Sequence, residues 1–183
     1  MDNISKILRT IYIGAVVATF LFNNGRIIKA VDIFNECLVL LNGKALETIK
    51  EITTPLVIYV YHKLIDGYTL MQDHTRAIEC GKKLHMTLHN SGQKEEEGMR
   101  LLKVADIYYQ RSKYDEAKKC CEKALSILIE TGNNHGVGIC YGNLGAVFQS
   151  LGQYAKAEEC LQKALRSEKK SVTKKEKLQI TEI

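Results

Sequence analysis

The feature that most constrains this chain is a period. Cys80, Cys120 and Cys160 lie 40 residues apart, each in the same local frame: AIECGKKL from Ala77, AKKCCEKA from Ala117 and AEECLQKA from Ala157. Tyr68, Tyr108 and Phe148 keep the spacing, as do Tyr61, Leu101 and Tyr141. Gly92 matches Gly132, and Gly98 matches Gly138. Self-similarity of this kind marks a chain built by stacking one supersecondary unit. A single unit cannot bury its own apolar face, so the units must pack on one another.

Inside a unit the apolar pattern is helical. In the last one Ile139, Tyr141, Leu144, Gly145 and Phe148 recur at three- and four-residue steps, which is one face of a helix. Gly152 interrupts the run and supplies a tight turn. Tyr154, Ala157, Leu161, Ala164 and Leu165 then form the expected inner face of a second helix. Small residues at Gly145 and Ala157 let the two backbones approach, with Phe148 and Leu161 filling the space beside them. One proline, Pro55, and the lack of alternating β-branched runs point to an all-α chain. With 45% hydrophobic and 26% charged residues, a core can form and wholesale disorder is disfavoured.

These residues resemble the tetratricopeptide repeat. Tyr141-x-x-Leu144-Gly145-x-x-Phe148 is similar to its first-helix signature, Gly152-x-Tyr154-x-x-Ala157 to its turn and second-helix entry, and Ala164 to its later small position. The middle unit keeps Leu101, Val104, Ala105, Tyr108, Tyr114, Ala117 and Ala124 but has Ser112 for the turn glycine. The unit before it keeps Tyr61, Leu64, Tyr68 and Ala77, with Ile65 at the small position. A fourth, displaced unit is read from Val17, Ala18, Leu21, Gly25, Ile27, Ala30, Phe34 and Cys37; Ala30 and Ala77 are 47 apart, seven more than the period. The resemblance covers residues from about 10 to 168. It implies a right-handed α-solenoid of antiparallel helix pairs, divided into 1–43 (divergent pair), 44–57 (extended helix or linker), 58–97, 98–137 and 138–168 (three units), and 169–183 (basic tail or partial cap). The extended helix over 44–54 is expected to absorb the extra residues. The 40-residue period resembles the long-repeat subgroup of Pins/LGN polarity adaptors and kinesin light chains.

The resemblance also implies a function: an adaptor or scaffold that binds a peptide or helix along the groove lined by the first helices. By register, the groove positions are His62, Lys63 and Asp66, then Leu102, Lys103, Asp106, Tyr109 and Gln110, then Gly142, Asn143, Ala146, Gln149 and Ser150. In the long-repeat adaptors an asparagine near Asn143 pairs with a ligand backbone. Lys63–Asp66 and Lys103–Asp106 are also i,i+3 pairs that support their own helices by about 0.2–0.5 kcal/mol each. Met99, Asp66 and Ala146 do not supply the clamp that holds acidic peptide termini. Two other readings stand beside the adaptor. The repeats serve as an accessory domain beside an NTPase or enzyme in a longer protein, or they self-associate through exposed repeat ends.

Other chemistries find little support. The net charge is +5, of which +3 lies in residues 166–183, so nucleic acid is not an expected partner. Lys6 and Arg9 precede an apolar stretch over 11–22, shorter than the roughly 20 residues a membrane span needs. It is expected to be a buried helix, without a signal-type cleavage site after it. Cys80, Cys120 and Cys160 sit on successive second helices about 10 Å apart, too far for disulfides. Thiols of this kind fit a reducing, cytoplasmic setting. His85 and His89 have metal-ligand spacing, but Met86 stands where a zincin glutamate would, and no third ligand is evident. No catalytic residues, metal or cofactor are expected.

Overall fold

The computed structural model describes residues 2–181, with side chains over 3–172. Among these residues the structure is all-α, in two compact units, Met1–Ser91 and Gly92–Ile183. The first holds α1 (Asp2–Asn23), α2 (Ile27–Leu41), a 3-10 helix (Lys44–Ile49), α3 (Lys50–Leu70) and α4 (His74–Asn90). The second holds α5 (Lys94–Gln110), α6 (Tyr114–Glu130), α7 (Asn134–Ser150) and α8 (Tyr154–Thr181). In each unit every helix packs on the one that follows, the arrangement of a helical solenoid.

The period is kept to the residue at the helix ends. First helices α3, α5 and α7 stop at Leu70, Gln110 and Ser150, and second helices α4, α6 and α8 start at His74, Tyr114 and Tyr154. One turn design makes this possible. The residue two beyond the first helix takes a left-handed backbone: Gly25 (φ 75°), Gln72 (58°), Ser112 (55°) and Gly152 (71°). The next amide then reaches back five residues, Arg26 to the Leu21 carbonyl at 2.9 Å, Asp73 to Tyr68 at 2.8 Å, Lys113 to Tyr108 at 2.9 Å and Gln153 to Phe148 at 2.8 Å. Such a bond occupies a carbonyl that the helix end would leave unpaired.

The connection expected as an extended helix over 44–54 is built otherwise. It is an eight-residue link containing the six-residue 3-10 helix, which buries Leu46, and α3 starts only at Lys50. The later links between pairs have three residues; α3 runs 21 residues against 17 in α5, and α2 runs 15 against 17 in α4. Those differences together account for the seven extra residues. Pro55 lies inside α3, near its start, where it removes one ladder bond without ending the helix.

The cores follow the small-residue logic. A Cβ on Gly67 would stand 2.5 Å from Val31 Cγ2, and one on Gly98 2.7 Å from Leu128 Cγ, so only glycine lets these helices approach as they do. Ile11, Phe34, Leu46, Val60, Leu64, Leu84 and Leu88 are buried in the first unit. Leu101, Leu102, Ala105, Cys121, Leu128, Val137, Cys140 and Leu144 form the core of the second. Each large side chain so buried contributes about 1.5–3 kcal/mol. The last pair departs from expectation. Leu161 does lie beside Gly145, 3.2 Å from its would-be Cβ. Yet Tyr154, Leu161 and Leu165 are 70%, 49% and 61% exposed, so the inner face of α8 is carried by Ala157 and Cys160. The backbone of α8 stays helical across the expected basic tail, whose side chains from 173 onward, with Ile183, lie outside the described residues.

The N-terminal stretch is a 22-residue helix buried along one face only. Ile11, Ala15 and Ala18 are buried, whereas Tyr12, Ile13, Val16, Val17 and Phe20 are exposed. The apolar run is also longer than the expected 12 residues: Asn3–Asn23 is long and apolar enough to cross a membrane by length and composition. Its buried face is nonetheless committed to α2, where the Cys37 thiol meets the Ile11 carbonyl at 3.6 Å.

Candidate ligand-binding face

First helices of neighbouring pairs touch within each unit, and their shared face is where the register placed the groove. In the second unit α5 and α7 are joined by two side-chain bonds. The Asn143 amide donates to Asp106 at 2.9 Å, and the Tyr109 and Ser150 hydroxyls lie 3.0 Å apart. Lys103, Asp106, Tyr109, Gln110, Gln149 and Ser150 are exposed, and Asn143, Ala146 and Gly142 are partly so. A Cβ at Gly142 would meet nothing within 4 Å, so the space above α7 is open there. The Tyr109 ring packs tilted at 5.5 Å from Tyr114, which fixes its direction. Although Asp106 keeps an exposed edge, desolvation of its carboxyl by the surrounding protein raises it above the ordinary value; Lys103 and the Asn143 amide act the other way.

One expected groove residue is misplaced. Leu102 is 3% exposed and belongs to the core between α5 and its neighbours. It lies one residue from the exposed Lys103, and a one-residue step on a helix rotates a side chain by about 100°. An apolar side chain at that angle is taken into the core.

In the first unit His62, Lys63 and Asp66 are partly buried on α3. Lys63 is held by aromatic faces, its Nζ 5.2 Å from the Phe22 ring and 5.8 Å from the Tyr59 ring. Thr19 and Tyr59 hydroxyls lie 2.6 Å apart, joining α1 to α3 as Ser150 and Tyr109 join α7 to α5. Val16, Thr19 and Tyr59 were not expected as part of this face. The displacement of 47 residues between Ala30 and Ala77, carried back onto α1, puts Val16 in register with Lys63 and Thr19 with Asp66.

The remaining reactive groups point to packing. Burial pushes the thiols of Cys121 and Cys140 up to about 12 and that of Cys80 to about 11. None of the six cysteines is in a disulfide. The His85 and His89 rings lie 6.3 Å apart, and no group of three metal-binding side chains occurs among the described residues.

Paired helices, left-handed turns and a 40-residue period converge on one comparison. Residues 99–170 match the tetratricopeptide repeat family. This span runs from α5 through the first half of α8. No curated protein sequence matches the chain. Solved structures share the fold of the tetratricopeptide segment and extend it. BtubC (BKLC) from P. vanneervenii is 19% identical with a TM-score of 0.70, over 88% of this chain and 64% of that one. A Podosopora anserina putative kinesin light chain with nearly identical TPR-like repeats is 15% identical at 0.66, over 93% and 78%. The Rap conjugation gene regulator of plasmid pLS20, solved with the Phr* peptide, is 18% identical at 0.64, over 88% and 43%. The chain thus spans 64% of BtubC and 43% of the Rap regulator.

Proposed function

We propose that this chain is a cytoplasmic adaptor that captures an extended peptide on the first-helix face formed by α5 and α7. The observation that carries this reading is the Asn143–Asp106 bond at 2.9 Å. It holds one amide hydrogen of Asn143 down, and a side-chain amide has a further donor and an acceptor to offer. Those groups suit the N–H and C=O of a peptide backbone, which repeats the same donor and acceptor in every ligand. Lys103, Tyr109 and Gln149 flank the amide and supply charge, ring surface and further hydrogen bonds for side-chain selection. A shared fold with a regulator solved with a peptide supports binding of this class. The absence of disulfides among the six cysteines fits a reducing compartment.

The test is selection of binders from a random peptide library on the purified chain, followed by affinity measurement by fluorescence anisotropy. Micromolar affinity, about −8 kcal/mol, is expected. Asn143→Leu should weaken the selected peptides by about tenfold, one good hydrogen bond to a fixed partner. Unchanged affinity with Asn143→Leu, and with Lys103→Ala and Tyr109→Ala, would place binding elsewhere.

A further inference from the structure

Two helix faces are exposed whose register counterparts on α2, α3, α6 and α7 are buried or partly buried. Ile13, Val17 and Phe20 stand ten, six and three residues before the end of α1 and are 61%, 43% and 66% exposed. The same positions in α3 are Val60, Leu64 and Gly67, and in α7 they are Cys140, Leu144 and Val147, all buried. On α8, Leu161, Leu165 and Glu168 stand seven, eleven and fourteen residues after the helix start and are exposed. Their counterparts are Phe34, Leu38 and Leu41 on α2, and Cys121, Leu125 and Leu128 on α6, each buried or partly buried.

The chain itself shows what covers these positions. The α2 face lies on α3 and the α6 face lies on α7, a second helix against the next first helix in both cases. At the first joint Val31 fills the space over Gly67; at the second Leu128 reaches Gly136, 3.0 Å from its would-be Cβ. The exposed α8 face is therefore the second-helix half of such a joint, and the exposed α1 face is the first-helix half. Neither half matches itself; each matches the other. The charges agree as well. Glu168 takes the place of Leu128, its stem 3.3 Å from the would-be Cβ of Gly138, as Leu128 stands over Gly98. Arg9 is fourteen residues before the end of α1, the place of Gly136 in α7. In that register Glu168 of one such face would meet Arg9 of the other, where Leu128 meets Gly136.

We infer that the chain associates with a second copy of itself head to tail, α8 of one copy seated on α1 of the next, in the register of the α2–α3 and α6–α7 joints. Such an interface is heterologous, so each dimer keeps one open α1 and one open α8 and growth continues with concentration.

Light scattering across a micromolar to submillimolar series tests this. The wild-type chain should rise to multiples of its 20.7 kDa mass. Ile13→Glu blocks the α1 face and Leu165→Glu blocks the α8 face. Each variant alone should stay monomeric with unchanged helical circular dichroism. Mixed in equal amounts they should form a dimer and stop, because one supplies the intact α8 and the other the intact α1. Arg9→Glu and Glu168→Arg should each weaken association, and the double variant should recover it. A wild-type chain monomeric throughout overturns the proposal. So does dimerisation of Leu165→Glu alone, which would mean α1 on α1, or of Ile13→Glu alone, which would mean α8 on α8.

Discussion

At the scale of single residues, the turns show a constraint that side-chain chemistry has only partly met. The left-handed position after each first helix holds glycine at Gly25 and Gly152, but Gln72 and Ser112 take the same backbone with a Cβ present. A left-handed conformation costs a residue with a Cβ about 1–2 kcal/mol, partly offset by the extra unfolded-state freedom of glycine. Ser112→Gly is therefore expected to stabilise the chain by about 0.5–1 kcal/mol, read as a higher urea midpoint. Gly67 poses the opposite problem. Gly67→Ala should destabilise by about 1–3 kcal/mol by pressing on Val31, and Val31→Ala in the same chain should relieve part of that, a coupling visible in a double-mutant cycle. The Ser112 substitution was legible in the sequence. Gln72 was legible only once the period was laid over it, since nothing about glutamine itself announces a turn.

At the scale of elements, the joint between α6 and α7 ties stability to pH. Cys121 and Cys140 hold their protons to about 12 in the fold, against an ordinary value of 9.0 in the unfolded chain. Above pH 9 the unfolded state therefore binds fewer protons than the folded one, and stability falls as pH rises. Each thiol contributes about 1.4 kcal/mol per pH unit in that window. Urea midpoints measured from neutral to alkaline pH should show the decline, and Cys121→Ala with Cys140→Ala should flatten it. The α5–α7 contact has its own titration. The Asp106 carboxyl is raised chiefly by partial desolvation and lowered by Lys103 and Asn143. Carbon-detected NMR should find its midpoint above the ordinary 3.8, and Asn143→Ala should move it higher still, because the amide donor to the charged form is lost. With the folded value raised, this carboxyl's share of stability is present below 3.8 and is lost as pH rises through the folded midpoint.

At the scale of the whole molecule, the two compact units have separate cores, one around Phe34 and Leu64 and one around Leu128 and Cys140. In a stacked-repeat protein stability is close to a sum of unit and neighbour terms. A chain of residues 92–183 is expected to keep its helical circular dichroism and melt cooperatively. A featureless melt from that fragment would mean the second unit does not hold together alone.

The sequence by itself determined the helical class, the 40-residue register and the turn positions, because period and small-residue placement are local facts repeated along the chain. It was also enough to name Asn143 and Asp106, though not to join them. Tertiary structure alone decided four things. It took Leu102 into the core, since burial depends on what lies opposite a helix face. It placed Lys63 between Phe22 and Tyr59, from residues 41 and 4 positions away. It made the link after α2 a 3-10 helix, where burying Leu46 governs the backbone. And it left Ile13, Val17 and Phe20 on α1, with Leu161 and Leu165 on α8, exposed. Their apolar spacing is the same as in buried counterparts, and only the presence or absence of a neighbouring helix distinguishes them.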